Sequence, residues 1–209
     1  MGMTTDGAMA EQTETRLEPP PRPAHRCPGW AAPFMASPLR RLLESPEKLL
    51  GPWVEPGMTI LDVGCATGFF SLPLARMTGE KGRVLCVDVE PRMVKGLVRR
   101  ATKAGLIDRI EPIVCDEDDL GLSEHEGTAD LAVAIHALHE LPDIEHGLRQ
   151  IAAALKPAGR LLVIEPRGHV SDATWEHVLE AGRHLGFAVG QRLDLRRRYG
   201  ALLEKTGRS

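Results

Sequence analysis

The chain contains 209 residues, of which 43% are hydrophobic, enough for one domain with a sizeable core. Its 26 basic and 29 acidic residues give a net charge of −3 at pH 7, and only 4% of the residues are aromatic. A chain without excess basic charge and with few rings for base stacking is not expected to bind nucleic acid. No apolar run reaches the roughly 18 residues of a membrane span, and no signal-peptide pattern opens the chain. We therefore predict a cytoplasmic protein without a membrane span.

The four cysteines lie far apart and include no C-x-x-C pair, which is typical of reduced thiols and not of disulfides or a zinc site. No metal site is therefore predicted. Residues 1–26 are polar and rich in proline, with too few apolar side chains to offset the entropy lost on ordering, so this segment is predicted to be disordered. Residues 27–56 are predicted to be a helical extension, in which Pro46 interrupts the helical pattern. Residues 57–209 are predicted to form the main domain.

Along the main domain, short apolar runs alternate with segments of helical periodicity. In chain order the predicted elements are strand 58–63, helix 69–77, strand 84–87, helix 92–104, strand 110–114, strand 129–135, helix 144–155, strand 160–164, helix 172–185, strand 187–193 and strand 198–203. Alternation with short connections indicates parallel strands joined by right-handed crossovers, with helices on both faces. We predict a three-layer α/β sandwich whose ligand lies beyond the carboxyl ends of the strands.

The segment after the first strand reads Leu-Asp-Val-Gly-Cys-Ala-Thr-Gly over residues 61–68. Gly64 and Gly68, with small residues between them, allow a tight turn and a close approach of the backbone to a ligand. No Lys-Ser/Thr follows, which argues against a nucleoside-triphosphate loop. Ala66 stands where a dinucleotide motif has glycine, and Asp62 would repel a pyrophosphate. A carboxylate at this place suits a ligand that carries an amine.

Acidic residues also follow the second and third strands. Asp88 comes where an acidic side chain accepts the ribose hydroxyls in nucleoside-binding α/β folds. Asp116 and Glu117 follow the third strand, where a carboxylate can accept the exocyclic amine of adenine. Together with Asp62, these strand ends fit one adenosine that carries an amino acid.

With these motifs, and with Ala-Leu-His-Glu-Leu-Pro-Asp at 137–143 and Leu-Lys-Pro-Ala-Gly-Arg-Leu at 155–161, the sequence resembles the class I S-adenosylmethionine-dependent methyltransferases. The resemblance covers roughly residues 57–206. Among these enzymes, the chain is similar to the small-molecule type represented by the ubiquinone and menaquinone biosynthesis methyltransferases. The resemblance implies a Rossmann-like sheet of seven mostly parallel strands with an antiparallel last strand, and S-adenosylmethionine as cofactor.

The resemblance also implies which residues bind the cofactor. Gly64 and Gly68 would form its loop, Asp88 would bind the ribose, and Val89 would pack on the adenine. Ile135 would flank the methionine part. The complete predicted set consists of Asp62, Gly64, Cys65, Ala66, Gly68, Asp88, Val89, Asp116, Glu117 and Ile135.

Residues after the fourth and fifth strands are expected to face the substrate. His136 and His169 are the predicted catalytic residues, because a histidine can take a proton from the acceptor near neutral pH. For His139 a structural role in the turn is favoured. Glu165 and Arg167 are candidate substrate contacts, Arg167 for an anionic group. The extension 27–56 is expected to cover the substrate cavity, with simple helix packing as the alternative.

The sequence thus predicts an enzyme that methylates a small-molecule acceptor. A protein that binds S-adenosylmethionine without catalysis is an open alternative. A nicotinamide-dependent oxidoreductase is a weaker one, because the loop lacks the middle glycine and carries Asp62. A homodimer is also left open.

Overall fold

A computed structural model of the chain describes residues 45–207. The seven strands are β1 Thr59–Val63, β2 Arg83–Asp88, β3 Ile110–Val114, β4 Ala129–Ile135, β5 Leu155–Pro166, β6 Phe187–Arg192 and β7 Arg198–Lys205. The helices are α1 Pro46–Leu50, α2 Ser71–Met77, α3 Pro91–Lys103, α4 Ile144–Ala154 and α5 Asp172–His184. The predicted disordered segment, and the predicted extension up to residue 44, lie outside the described residues.

The strands form one sheet in the order β3-β2-β1-β4-β5-β7-β6. The five neighbouring strands β3, β2, β1, β4 and β5 pair in parallel, whereas β7 lies antiparallel between β5 and β6. Strand order reverses between β1 and β4, so the switch point at which such sheets bind ligands lies beyond these two strands. The predicted seven-stranded sheet with an antiparallel last strand is confirmed.

Alternating residues of the strands belong to two hydrophobic clusters, one on each face of the sheet. Leu61 and Val63 of β1 face a cluster that includes Leu148 of α4 and Leu179 of α5. Ile60, next to Leu61 on the same strand, belongs to the other cluster, to which α2 and α3 contribute Leu72, Leu74, Leu97 and Ala101. Both faces are therefore covered, which explains why the central strands are apolar throughout.

Two connections differ from the sequence prediction. Pro46 does not interrupt a helix but begins α1 behind the N-cap Ser45, because the first helical turn needs no N–H from that residue. Strand β5 begins at Leu155, directly after α4. The pairing with β4 moves from Ala129–Leu155 to Leu131–Arg160, so the residues between Leu155 and Arg160 form a bulge.

Candidate active site

The loop between β1 and α2 is tied to the end of β2. The N–H groups of Gly64 and Cys65 both donate to the carbonyl oxygen of Val87, at 2.9 and 3.0 Å. The backbone is left-handed at Gly64, Ala66 and Gly68, with φ of +72°, +46° and +82°. Glycine adopts this conformation without cost, but Ala66 does so against the preference of its Cβ. The loop therefore turns sharply at the switch point, as its small residues predicted.

Gly64 also allows the close approach of a second segment. A Cβ added to Gly64 would lie 2.8 Å from the Cβ of Ala137, in the segment after β4. We expect Gly64→Ala to lower the free energy of unfolding by about 1–2 kcal/mol for the left-handed backbone and by about 1–3 kcal/mol more for the overlap. Urea denaturation measures the loss.

Gly79 provides a matched control for this substitution. Its φ of +71° is almost that of Gly64, but an added Cβ would meet nothing within 4 Å. Gly79→Ala should therefore lose only the backbone contribution. Equal losses in the two variants would contradict the close contact between the loop and Ala137.

Asp88 joins the loop to the end of β2. Its Oδ2 accepts the N–H of Ala66 at 2.8 Å, and its Oδ1 accepts the N–H of Glu90 at 2.9 Å. Burial raises the pKa of Asp88, and the two backbone hydrogen bonds oppose this rise. Each carboxylate oxygen can accept more than one hydrogen bond, so this side chain can also accept hydroxyl groups of a ligand.

An apolar pair lies beside Asp88. Val89 and Val114 are each 51% exposed and are the large apolar side chains that stand exposed in the described part of the chain. Val114 is the register partner of Asp88, so both valines lie at the carboxyl ends of β2 and β3. Asp116 and Glu117 follow on the surface. An exposed apolar pair flanked by carboxylates fits a purine ring with an amino group and an adjoining ribose.

Asp62 lies beneath the loop. Asp62 is buried, with 2% of its surface exposed. Its Oδ2 accepts a hydrogen bond of 2.5 Å from the Oγ of Ser71 in α2. Burial raises its pKa to about 7, although the hydrogen bond from Ser71 opposes the rise. Its predicted contact with the amine of a ligand stays a prediction. Burial also raises the pKa of the Cys65 thiol far above its usual value, which argues against a reactive thiolate. The predicted contact of Cys65 with the cofactor stays a prediction.

The end of β4 contains two further predicted residues. Ile135 is buried in the cluster that includes α2 and α3. His136 has a left-handed backbone with φ of +59°, and its N–H donates to the carbonyl oxygen of Ile164 at 2.7 Å. Strained backbone is often found at functional sites. The catalytic role predicted for His136 stays a prediction.

The structure brings His139 together with Glu165, a pair that sequence reasoning missed. The Nδ1 of His139 lies 2.6 Å from the Oε2 of Glu165. The other oxygen, Oε1, accepts the N–H groups of Leu138 and His139 at 2.9 and 3.3 Å. Glu165 is fully buried and faces His139, whereas we expected it to contact substrate. The sequence could have indicated this pair, because a histidine after β4 and a glutamate at the end of the adjacent strand β5 lie at the same edge of the sheet.

The pKa values of His139 and Glu140 are both raised, for different reasons. Burial lowers the pKa of His139, but the hydrogen bond and the charge of Glu165 outweigh it, so the net shift is upward. Burial raises the pKa of Glu140. The charges of Glu165 and Asp88 add to this rise, and those of His139 and His169 oppose it. The ring of His169 lies 5.9 Å from that of His139, between centroids. His139, Glu165 and His169 therefore form one cluster beyond the ends of β4 and β5.

Arg167 is directed elsewhere. Its guanidinium lies over the ring of Tyr199, 4.5 Å from the centroid, and its Nε donates to the carbonyl oxygen of Arg198 at 3.4 Å. These contacts favour packing of Arg167 on β7 over the predicted contact with an anionic substrate.

Two absences concern residues 45–207 only. Within this range, no group of three or more histidine, cysteine, aspartate or glutamate side chains is arranged to hold a metal ion. In the same range, no helix has the length and apolar character needed to cross a membrane.

The sheet order and the site at its switch point define the class I S-adenosylmethionine-dependent methyltransferase fold. The chain belongs to the methyltransferase-domain family, whose model matches residues 54–195. Both the predicted family and S-adenosylmethionine as its cofactor are thereby confirmed.

Curated relatives of this chain include the ubiquinone/menaquinone biosynthesis C-methyltransferases UbiE of Klebsiella pneumoniae and of an Enterobacter species. They are 31% and 32% identical to it over 133 residues, which is 60% of this chain and 52% of theirs. The chain thus spans about half the length of the curated relatives it matches.

Solved structures with the same fold include a methyltransferase from Aquifex aeolicus that depends on S-adenosylmethionine. It is 27% identical, with a TM-score of 0.75 over 85% of this chain and 98% of that one. The [4+2]-cyclase SpnF, at 20% identity and a TM-score of 0.66 over 77% and 79%, shares the fold alone.

Proposed function

We propose that this protein transfers the methyl group of S-adenosylmethionine to a small-molecule acceptor. The observation that carries the proposal is the grouping of Asp88 with the exposed Val89 and Val114 beside the glycine loop at the switch point. When bound, S-adenosylmethionine supplies an electrophilic methyl group, because its sulfonium takes the electron pair of the breaking carbon–sulfur bond.

The residues of the chain have distinct roles in this proposal. Asp88 accepts the ribose hydroxyls while it holds the N–H of Ala66, so one side chain fixes both the loop and the ligand. Val89 and Val114 cover the adenine ring, and Asp116 with Glu117 accepts its amino group. Gly64, which has no Cβ, lets Ala137 pack closely against the loop. Catalysis by such a site consists of alignment, exclusion of water and control of the acceptor's proton.

Two observations support a small molecule as the acceptor. The names of the curated relatives place them in ubiquinone and menaquinone biosynthesis. The edge beyond β4 and β5 carries ionisable side chains close together, among them His139, Glu140 and His169. Such a cluster suits proton transfer to or from a single acceptor group.

Calorimetry on the purified protein tests the cofactor first. We expect S-adenosylmethionine and S-adenosylhomocysteine to bind with micromolar affinity and NADH not to bind. Binding of NADH alone would overturn the proposal and favour the oxidoreductase.

Methyl transfer is then followed with tritium-labelled S-adenosylmethionine and a panel of quinols, phenols, amines and thiols. We expect labelled product from at least one acceptor. Cofactor binding without transfer to any acceptor would favour a binding protein without catalysis.

A further inference from the structure

The hydrogen bonds of Glu165 fix the protonation pattern of His139. Oε1 of Glu165 already accepts two backbone N–H groups, and Oε2 lies 2.6 Å from the Nδ1 of His139. Because Oε1 of this carboxyl group already acts as an acceptor for two donors, we place the proton of the short contact on Nδ1, with Oε2 as its acceptor. In neutral His139, Nε2 is therefore the unprotonated nitrogen.

This arrangement gives Nε2 the character of a base. Glu165 is completely buried on β5, and its charge is balanced when His139 becomes an imidazolium. The same partner keeps the ring from rotating. A histidine whose Nδ1–H is bound to a buried carboxylate is the arrangement found in enzymes that use Nε2 as general base.

The pair lies next to the predicted cofactor loop. The turn Leu138–Glu140 carries His139, and Ala137, immediately before it, packs so closely on Gly64 that a Cβ there would lie 2.8 Å away. Glu140 is influenced by the charges of both His139 and Asp88. His139 is thus part of the edge at which the cofactor and the acceptor would meet.

The charges at this edge limit the kind of acceptor. Asp88, Asp116, Glu117 and Glu140 are acidic, and Arg167 is directed to Tyr199. An acceptor with a permanent negative charge would be repelled by these carboxylates. A neutral acceptor that loses a proton only during the reaction avoids this cost.

We infer that His139 is the general base of the methyl transfer, oriented by Glu165, and that the acceptor is a neutral compound with a weakly acidic hydroxyl, such as a phenol. The inference rests on the proposed function. His139 is the catalytic residue in it, and Glu165 is a positioning residue.

The step is balanced in atoms and charge. The O–H bond of the acceptor breaks, and its proton joins Nε2 of His139. The electron pair left on oxygen forms the bond to the methyl carbon as the carbon–sulfur pair returns to sulfur. The imidazolium, stabilised by Glu165, then releases the proton to water.

The test compares phenol with 4-nitrophenol, which is more acidic and largely ionised at pH 8. His139→Asn keeps an N–H for Glu165 but has no basic nitrogen. We expect it to lower kcat on phenol by about 100-fold or more and kcat on 4-nitrophenol by less than about 10-fold, with the Kd for S-adenosylmethionine unchanged. The carboxylates of the site should raise the KM for the 4-nitrophenolate anion equally in wild type and variant, so both acceptors are compared by kcat at saturation. His184→Asn, on an exposed histidine that pairs with Glu180, is the matched control and should behave as wild type.

The pH dependence gives a second readout. Glu165 on β5 and Glu140 on the same turn raise the pKa of His139 above 6.5, although burial opposes them, and His169 is the other ionisable group beside the ring. Because the neutral form is the base, kcat on phenol should rise with pH to a plateau, with its midpoint above 6.5. Glu165→Gln should lower both the midpoint and the plateau.

A third readout needs no acceptor. The Nδ1–H proton of His139 should give a slowly exchanging nuclear magnetic resonance signal in the wild type. That signal should be lost in Glu165→Leu, which has no acceptor for the Nδ1–H, and binding of S-adenosylmethionine by this variant checks that it is folded.

Three results would overturn the inference while the cofactor site stands. They are equal losses on both phenols in His139→Asn, unchanged rates on phenol, and no methylation of either phenol by a wild type that binds S-adenosylmethionine. Failure of the wild type to bind S-adenosylmethionine would instead remove the proposed function, and the inference with it.

Discussion

Replacement of Asp88 by alanine is expected to weaken the binding of S-adenosylmethionine by about 100-fold or more. Hydrogen bonds to a charged group contribute about 1.5–3 kcal/mol each, so the loss of two ribose contacts should cost at least about 3 kcal/mol of binding free energy. Since about 1.4 kcal/mol corresponds to a tenfold change in affinity, this loss corresponds to about 100-fold. The variant also removes the acceptor for the N–H groups of Ala66 and Glu90, so the loop loses a support as well. Calorimetry measures the affinity.

Asp108→Ala is the control for this variant. Asp108 is exposed in the short turn before β3, at the end of the strand opposite to the candidate site. Its replacement should therefore leave the affinity for S-adenosylmethionine unchanged. Hydrogen exchange separates the two roles of Asp88, because the amide of Ala66 should exchange faster in Asp88→Ala even without ligand. Wild-type affinity in Asp88→Ala would show that the ribose binds elsewhere.

Replacement of Asp62 by asparagine is expected to increase the stability of the protein at alkaline pH. Burial raises the pKa of Asp62 from its usual 3.8 to about 7 in the folded chain. Between these values the folded state holds a proton that the unfolded state has lost, so the free energy of unfolding falls as pH rises. A shift of this size corresponds to about 4 kcal/mol, which is fully lost only above pH 7.

Asparagine has nearly the same shape and can still accept the hydrogen bond of Ser71, but it carries no charge. Asp62→Asn and the wild type should therefore be equally stable near pH 4, and the variant should be more stable by about 4 kcal/mol at pH 8. Urea denaturation at the two pH values measures the difference.

Ser71→Ala acts in the opposite direction. It removes the hydrogen bond that holds the pKa of Asp62 down, so it should destabilise the protein more at pH 8 than at pH 4. A stability difference between Asp62→Asn and the wild type that does not change with pH would contradict a protonated, buried Asp62.

The local elements of the fold were readable from the sequence because each is determined by nearby residues. The bounds of β3 and β4 agree with the prediction to the residue, since short apolar runs end at polar or turn-forming neighbours. Helix α3 begins at Pro91, where proline fits the first turn, and ends within one residue of the predicted position. Apolar periodicity of this kind does not depend on the rest of the chain.

The loop of the candidate site was also readable. Only small residues fit a turn with left-handed backbone at Gly64, Ala66 and Gly68. A turn of this kind directly after a buried strand indicates a close approach of the backbone to a ligand. Asp88, at the end of the next strand, was predicted for the ribose. The sequence did not indicate that the same carboxylate also holds the loop, because the contact joins residues 22 apart in the chain.

The amino-acid sequence by itself determined the alternation of strands and helices, the glycine loop and the acidic strand ends, since these follow from periodicity and residue type within short segments. Only the tertiary structure decided that Glu165 is buried against His139. These residues lie 26 positions apart and meet because β4 and β5 are neighbours in the sheet. A side chain's partner depends on which strands pair and on what covers them, and neither is encoded in the few residues around it.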